Sequence, residues 1–165
     1  MSCTKDFSSK QEKQIAEYLG WETVVCSGAM AAIPGDIKSD LWLGECKTHT
    51  ESDNKIKFYS SVWSKIVQEA NSQFKFPVLF VDDGSQKIEK TWCMIPDTLV
   101  VNYGYSLKNI PYRLGVNISF NGDEFKKLYK DIFSEGIKVI YSAKWGNYNI
   151  AILPLELFKE IFIGD

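Results

Sequence analysis

Apolar residues recur along this chain in two periods, and the switching between them lays out its elements. After Ser8-Ser9, the residues Ile15, Tyr18 and Leu19 fall at helical steps and Gly20 follows. A serine with Gln11 or Glu12 three positions on resembles a capping box, and a glycine suits the left-handed end, so the spacing predicts a helix between them. Trp21 to Cys26 predicts a strand. Residues 27–35 are small and loop-forming, a composition that lets backbone approach a ligand closely. Ile33 to Thr48 then reads as a turn, a short apolar strand, a second turn and a second apolar strand. Asp36 sits at the first bend, and Glu45 and Lys47 lie near the end of the second strand. Strand side chains alternate faces, so Glu45 and Lys47 point one way and Cys46 the other.

Thr48 to Lys57 is polar and predicts an exposed loop. Val62, Ile66, Val67 and Ala70 recur at three- and four-residue steps, predicting a helix within Phe58 to Phe74. Pro77 to Val81 predicts a buried strand closed by the turn Asp82-Asp83-Gly84. Helix, strand, hairpin, helix and strand make an α/β order, with the last helix crossing over between strands. Further on, strands are expected at Thr91 to Ile95 and Val116 to Phe120, and a helix from Asn121 to Ser134. A hairpin is expected across Trp145-Gly146-Asn147, and an amphipathic helix from Pro154 to Phe162. Asp97 to Gly115 is mixed, and Asp82 to Lys90 is the candidate for a linker.

Bulk properties narrow this picture a little. At 165 residues and 45% hydrophobic content the chain has the size and composition of one domain. A formal net charge of −2 gives no basic excess of the kind a general nucleic-acid coat protein carries. Cys3, Cys26, Cys46 and Cys93 form no CxxC pair, which argues against a zinc ribbon or a thioredoxin motif. Cys26 and Cys46 lie in apolar runs and read as reduced core residues, fitting a cytoplasmic protein. No apolar run approaches membrane-spanning length and the N-terminus is polar, so neither a membrane nor an export signal is expected.

The candidate chemistry lies in the hairpin. Folding the Asp36 bend alongside Glu45 would place two carboxylates and the Lys47 ammonium in one small space. Mg²⁺ takes oxygen ligands and keeps several waters, so two or three carboxylates suffice to hold it. A glutamate and a lysine inside an apolar strand also break the local pattern, as functional sites do.

Pro34-Gly35-Asp36, an apolar strand and Glu45-Cys46-Lys47, preceded by a helix bearing a glutamate, resemble the PD-(D/E)XK nuclease superfamily. Within it, the small-residue loop before the aspartate and the stretch Trp63-Ser64-Lys65-Ile66-Val67-Gln68-Glu69-Ala70 look most like the phage and archaeal Holliday-junction-resolvase branch. The resemblance spans roughly Lys10 to Val81. It implies an α/β, restriction-endonuclease-like mixed sheet flanked by helices. Residues 1–84 would form the nuclease core, and residues 85–165 an α+β extension packing on or completing it. It implies an Mg²⁺-dependent endodeoxyribonuclease, with Mn²⁺ as a substitute, acting on branched DNA as a homodimer, in the host cytoplasm if phage-encoded. Asp36, Glu45, the Cys46 carbonyl and Glu12 would hold the metal, with Glu17 as the alternative to Glu12. Lys47 would orient water or steady charge on the phosphate. Lys10, Lys13, Ser27, His49, Lys55, Lys57 and Lys65 are candidate DNA contacts. Two rivals remain: a restriction-type or nicking nuclease of the same superfamily, and a non-catalytic binding or regulatory protein with the same fold.

Overall fold

The computed structural model describes residues 3–25 and 34–165. The chain runs α1 (Cys3–Leu19), β1 (Glu22–Thr23), β2 (Ile37–Lys38), β3 (Trp42–Lys47), β4 (Lys55–Phe58), α2 (Ser60–Ser72), β5 (Phe76–Val81) and β6 (Trp92–Pro96). It continues with α3 (Thr98–Val101), β7 (Ser106–Asn109), β8 (Ile118–Asn121), α4 (Gly122–Ser134), β9 (Val139–Trp145), β10 (Tyr148–Pro154) and α5 (Leu155–Phe162). The fold is α/β. Eight strands form one mixed, mostly antiparallel sheet in the order β1-β2-β3-β5-β6-β10-β9-β7, and β4 pairs with β8 in a separate ribbon.

The two parallel pairings matter most. β3 and β5 run side by side from Trp42 against Phe76 to Lys47 against Val81, with α2 in the connection between them. Parallel strands need such a crossover, so the expected helix-in-between is observed. β7 pairs parallel with β9 at the far edge. β5 also pairs antiparallel with β6, and β6 with β10, so one continuous sheet carries strands from both halves of the chain.

Facing residues show how the sheet is covered. Trp42 and Phe80 share one face, where Trp21 lies edge-on to Phe80 with ring centroids 5.9 Å apart and Phe158 lies 5.0 Å from Trp42. Tyr18 of α1 meets Lys159 of α5 on this side. Leu79, Met94, Ile152 and Tyr148 define the other face by register, and Trp63 of α2 meets Tyr148 there. Trp92, Phe120, Phe125 and Tyr129 form a further aromatic layer that α4 joins. Edge-to-face and offset contacts of this kind add to the burial of large rings, so much of the aromatic content is core.

Several local expectations are corrected. α1 is already helical at Cys3, so Ser8 and Ser9 lie inside it rather than at its start. Its C-terminal end is as the sequence predicts, Gly20 adopting φ 69°. Among the described residues, the strand expected over Trp21 to Cys26 covers only Glu22–Thr23, at the sheet edge beside β2. The polar run after Lys47 is not all loop: β4 forms within it, burying Ile56 and Phe58 against β8. The candidate linker is packed, with Asp82 and Asp83 buried. Asn121 caps α4, its side-chain oxygen accepting from the Asp123 and Glu124 amides. The small-residue loop before Pro34 lies outside the described residues, as does Cys26.

Gly44 marks how tightly β3 is seated. A Cβ there would lie 2.8 Å from the Phe80 ring and 3.0 Å from Ile37 Cγ1. Gly44→Ala should therefore destabilise the fold by about 1–3 kcal/mol, the usual cost of overpacking. Urea unfolding checks this; an unchanged midpoint would mean that the strand shifts freely.

Candidate active site

The C-terminal end of β3 is where chemistry-bearing side chains gather. Asp36 is fixed by backbone on both sides: its N–H donates to the Gly44 carbonyl at 2.8 Å, and its carbonyl accepts from the Val24 N–H at 2.8 Å. Its side chain turns across to β3, where Oδ2 accepts the Cys46 N–H at 2.8 Å. The N–H and C=O of one strand residue point to the same edge, so the Cys46 carbonyl also faces the Asp36 side. On β3 itself, Glu45 Oε1 holds Lys47 Nζ at 2.6 Å, the glutamate side chain 8% exposed and the lysine 47%. The predicted same-face pairing of Glu45 and Lys47 is thus an ion pair.

Electrostatics bind these groups to Glu12 on α1. Burial pushes the Glu12 carboxyl up to about 7, with the charges of Asp36 and then Glu45 adding to the rise and Lys47 opposing it. Burial likewise raises Asp36, followed by the charge of Glu45, while the Cys46 N–H, Lys47 and Lys65 act against the rise. Burial tends to lower the Lys47 ammonium, but the hydrogen bond and charge of Glu45, then Asp36, outweigh it and hold it above its ordinary value. Burial first, and nearby carboxylate charge second, thus make both Glu12 and Asp36 harder to ionise. Of the two α1 glutamates, Glu12 is the one coupled to Asp36 and Glu45; Glu17 is exposed.

The donor set is all oxygen, which suits a hard divalent cation. The thiol of Cys46 lies on the opposite face of β3, the face of its neighbour Phe80, so only its carbonyl could contribute. As the side chains stand, no three Asp, Glu, His or Cys groups among the described residues are gathered tightly enough to enclose an ion. Glu45 is turned onto Lys47 instead.

Beside Lys47 opens a pocket of about 80 Å³, with Thr48, His49, Lys57, Tyr59 and Asp82 on its walls. His49 and Lys57 both reach Asp53, at 3.4 and 3.5 Å. Asp53 lies at the surface, where such contacts contribute little to stability. Lys65 pairs with Glu69 at 3.6 Å on α2, while Lys10, Lys13 and Lys55 are exposed. His49, Lys57 and, by its field on Asp36, Lys65 therefore adjoin the site. Ser27 lies outside the described residues.

Three residues that are not among the candidates drawn from the sequence for this site complete the surroundings. Asp82, buried at the end of β5, accepts from the Thr48 hydroxyl at 2.6 Å and the Gly84 amide at 2.8 Å through Oδ1. Its Oδ2 accepts from Gln11 Nε2 at 3.0 Å, and the same Nε2 donates to the Lys47 carbonyl at 2.9 Å. A signal existed for Asp82 alone. Asp82 follows a buried strand that runs parallel to the Glu-x-Lys strand, and ligands of open α/β sheets sit at the carboxyl ends of such strands.

The chain matches no family model, and it has no significant match among curated proteins or among solved structures. Among the described residues no helix is long and apolar enough to cross a membrane.

Proposed function

We propose that this chain is a metal-dependent DNA endonuclease with a restriction-endonuclease-like core, hydrolysing phosphodiester bonds and selecting branched DNA. One observation carries this reading: Asp36 reaches across to β3, its Oδ2 accepting the Cys46 N–H at 2.8 Å, beside the ion pair that holds the Lys47 ammonium 2.6 Å from Glu45, and the charges of Asp36 and Glu45 are felt at Glu12. Support also comes from element order, with a glutamate-bearing helix, the Asp36 bend, the Glu45/Lys47 strand, a crossover helix and a parallel partner strand.

Asp36 and Glu45 would hold Mg²⁺ or Mn²⁺, with Glu12 and the Cys46 carbonyl completing the set. A hard cation in that place supplies positive charge against the negative charge that develops on the phosphate oxygens. Lys47, kept protonated by its acidic neighbours, offers N–H donors to a phosphate oxygen or to the attacking water. His49, Lys57 and Lys65 contact the DNA backbone, so shape and phosphate position govern binding more than base sequence does. A twofold dimer supplies the two sites needed to cut two strands, and the enzyme works in the cytoplasm.

A four-way junction, linear duplex and single-stranded DNA, each incubated with the protein and Mg²⁺, test this. Cleavage of the junction that stops on chelation is the expected result, with at least a ~10²-fold loss in Asp36→Asn. No cleavage of any substrate would overturn it. The second reading, a non-catalytic binding or regulatory protein with this core, draws on the engagement of Glu45 by Lys47 and on the acidic net charge of −2. It predicts no cleavage and binding indifferent to Mg²⁺.

A further inference from the structure

We propose that Gln11, Asp82 and Thr48 form a clamp that positions Lys47 and Glu12 for the reaction. The proposal rests on the nuclease reading of the site, and all three are positioning residues that act through others.

The geometry is specific. Gln11 Nε2 donates at once to the Lys47 carbonyl at 2.9 Å and to Asp82 Oδ2 at 3.0 Å. Both partners can only accept when Asp82 is ionised, so the amide orientation of Gln11 is fixed by chemistry. Asp82 Oδ1 takes the hydroxyl of Thr48, the residue after Lys47, and the Gly84 amide. The carbonyl of Lys47 and the side chain of its neighbour are therefore tied to one carboxylate at the end of the adjacent strand. Gln11 directly precedes Glu12, so the same bonds dock the helix that delivers the third carboxylate.

Stability alone does not call for this arrangement. Gln11 is 1% exposed and Asp82 is also 1% exposed. Burying an amide and a carboxylate where apolar side chains fit is costly unless both are fully partnered. Gln11 Oε1 has no hydrogen-bond partner and is buried. The donor end alone is used, and it is aimed at Lys47. A displacement of about 1 Å at a reacting group can lower turnover roughly a hundredfold, so a clamp on Lys47 has a large catalytic lever.

The test compares Gln11→Met, Asp82→Asn and the double variant with the wild type on junction DNA with Mg²⁺. Asp82→Asn keeps an acceptor for Thr48 and Gly84 but turns an N–H toward Gln11, breaking that link alone. Each single variant should lower kcat roughly tenfold to a hundredfold with KM for DNA unchanged, and the double variant should fall no further than the worse single one. Thr48→Val, which removes one half-buried hydroxyl, gives a milder kcat loss and covers the case in which a buried variant fails to fold. The Lys47 side-chain ammonium resonance, read by ¹⁵N NMR, should shift in the variants whether or not the protein cuts DNA. A wild type that cuts nothing but whose variants show that shift refutes the nuclease reading, and with it the clamp's part in catalysis, while showing that Gln11 and Asp82 do position Lys47. An unshifted Lys47 resonance, additive losses, or losses in KM alone would overturn the clamp.

Discussion

Lys47→Met is expected to abolish metal-dependent DNA cleavage, by about 10²–10³-fold, while leaving the fold intact. The magnitude is that of removing one preorganised donor from a site where negative charge develops. Methionine keeps most of the aliphatic stem, so the loss isolates the ammonium. The same change leaves the Glu45 carboxylate, 8% exposed, without the cation that lies 2.6 Å away. An unsatisfied buried polar group costs roughly 1–3 kcal/mol, so stability should fall measurably at neutral pH. Adding Lys47→Met to Glu45→Gln should then cost less than the sum of the two, because they share one ion pair. Cleavage kinetics with urea unfolding at neutral pH checks both parts. Retained cleavage would move the chemistry away from β3.

Glu12→Gln should abolish cleavage and yet make the metal-free protein more stable above pH 7. The Glu12 carboxyl is raised from 4.5 to about 7 by burial first, then by the charges of Asp36 and Glu45. In the unfolded chain it loses its proton near its ordinary value; in the folded chain it keeps it to about 7. Its contribution to stability is therefore fully present below about pH 4.5 and is lost as pH rises through about 7. Glutamine mimics the protonated form at every pH. Wild type and variant should unfold at similar temperatures near pH 4.5, and the variant should unfold higher above pH 7. Asp36, raised for the same reasons, adds to the same trend in both proteins. Thermal melts on either side of that range, in the presence of a chelator, measure it. An equal gap at both ends would show that the Glu12 carboxyl is not raised in the folded chain.

Much of this site was legible because its residues violate the pattern around them. Glu45 and Lys47 stand in a strand whose other members are apolar, and strand alternation alone placed them together. Asp36 at the bend followed from the Pro34-Gly35 turn. Helix α4 was read from Asn121-Gly122-Asp123, where capping chemistry is local and strong. Long-range pairing was not legible. Lys55-Ile56-Lys57-Phe58 alternates polar and apolar as a strand does, but over four residues only, and its partner β8 lies far along the chain, so β4 passed for loop. Asp82 and Asp83 read as a turn because the contacts that bury Asp82 come from Gln11 and Thr48, which approach from different elements. Ser8 and Ser9 carried a cap signal, but the helix begins upstream of them, at Cys3.

Crystals soaked in Mn²⁺ and measured for anomalous scattering give the most direct test of a shared metal centre. The expected result is a peak within bonding distance of both the Asp36 and Glu45 carboxylates, with Glu45 swung off Lys47. A peak at Asp82 and Asp83 instead, or none near β3 at saturating metal, would contradict it.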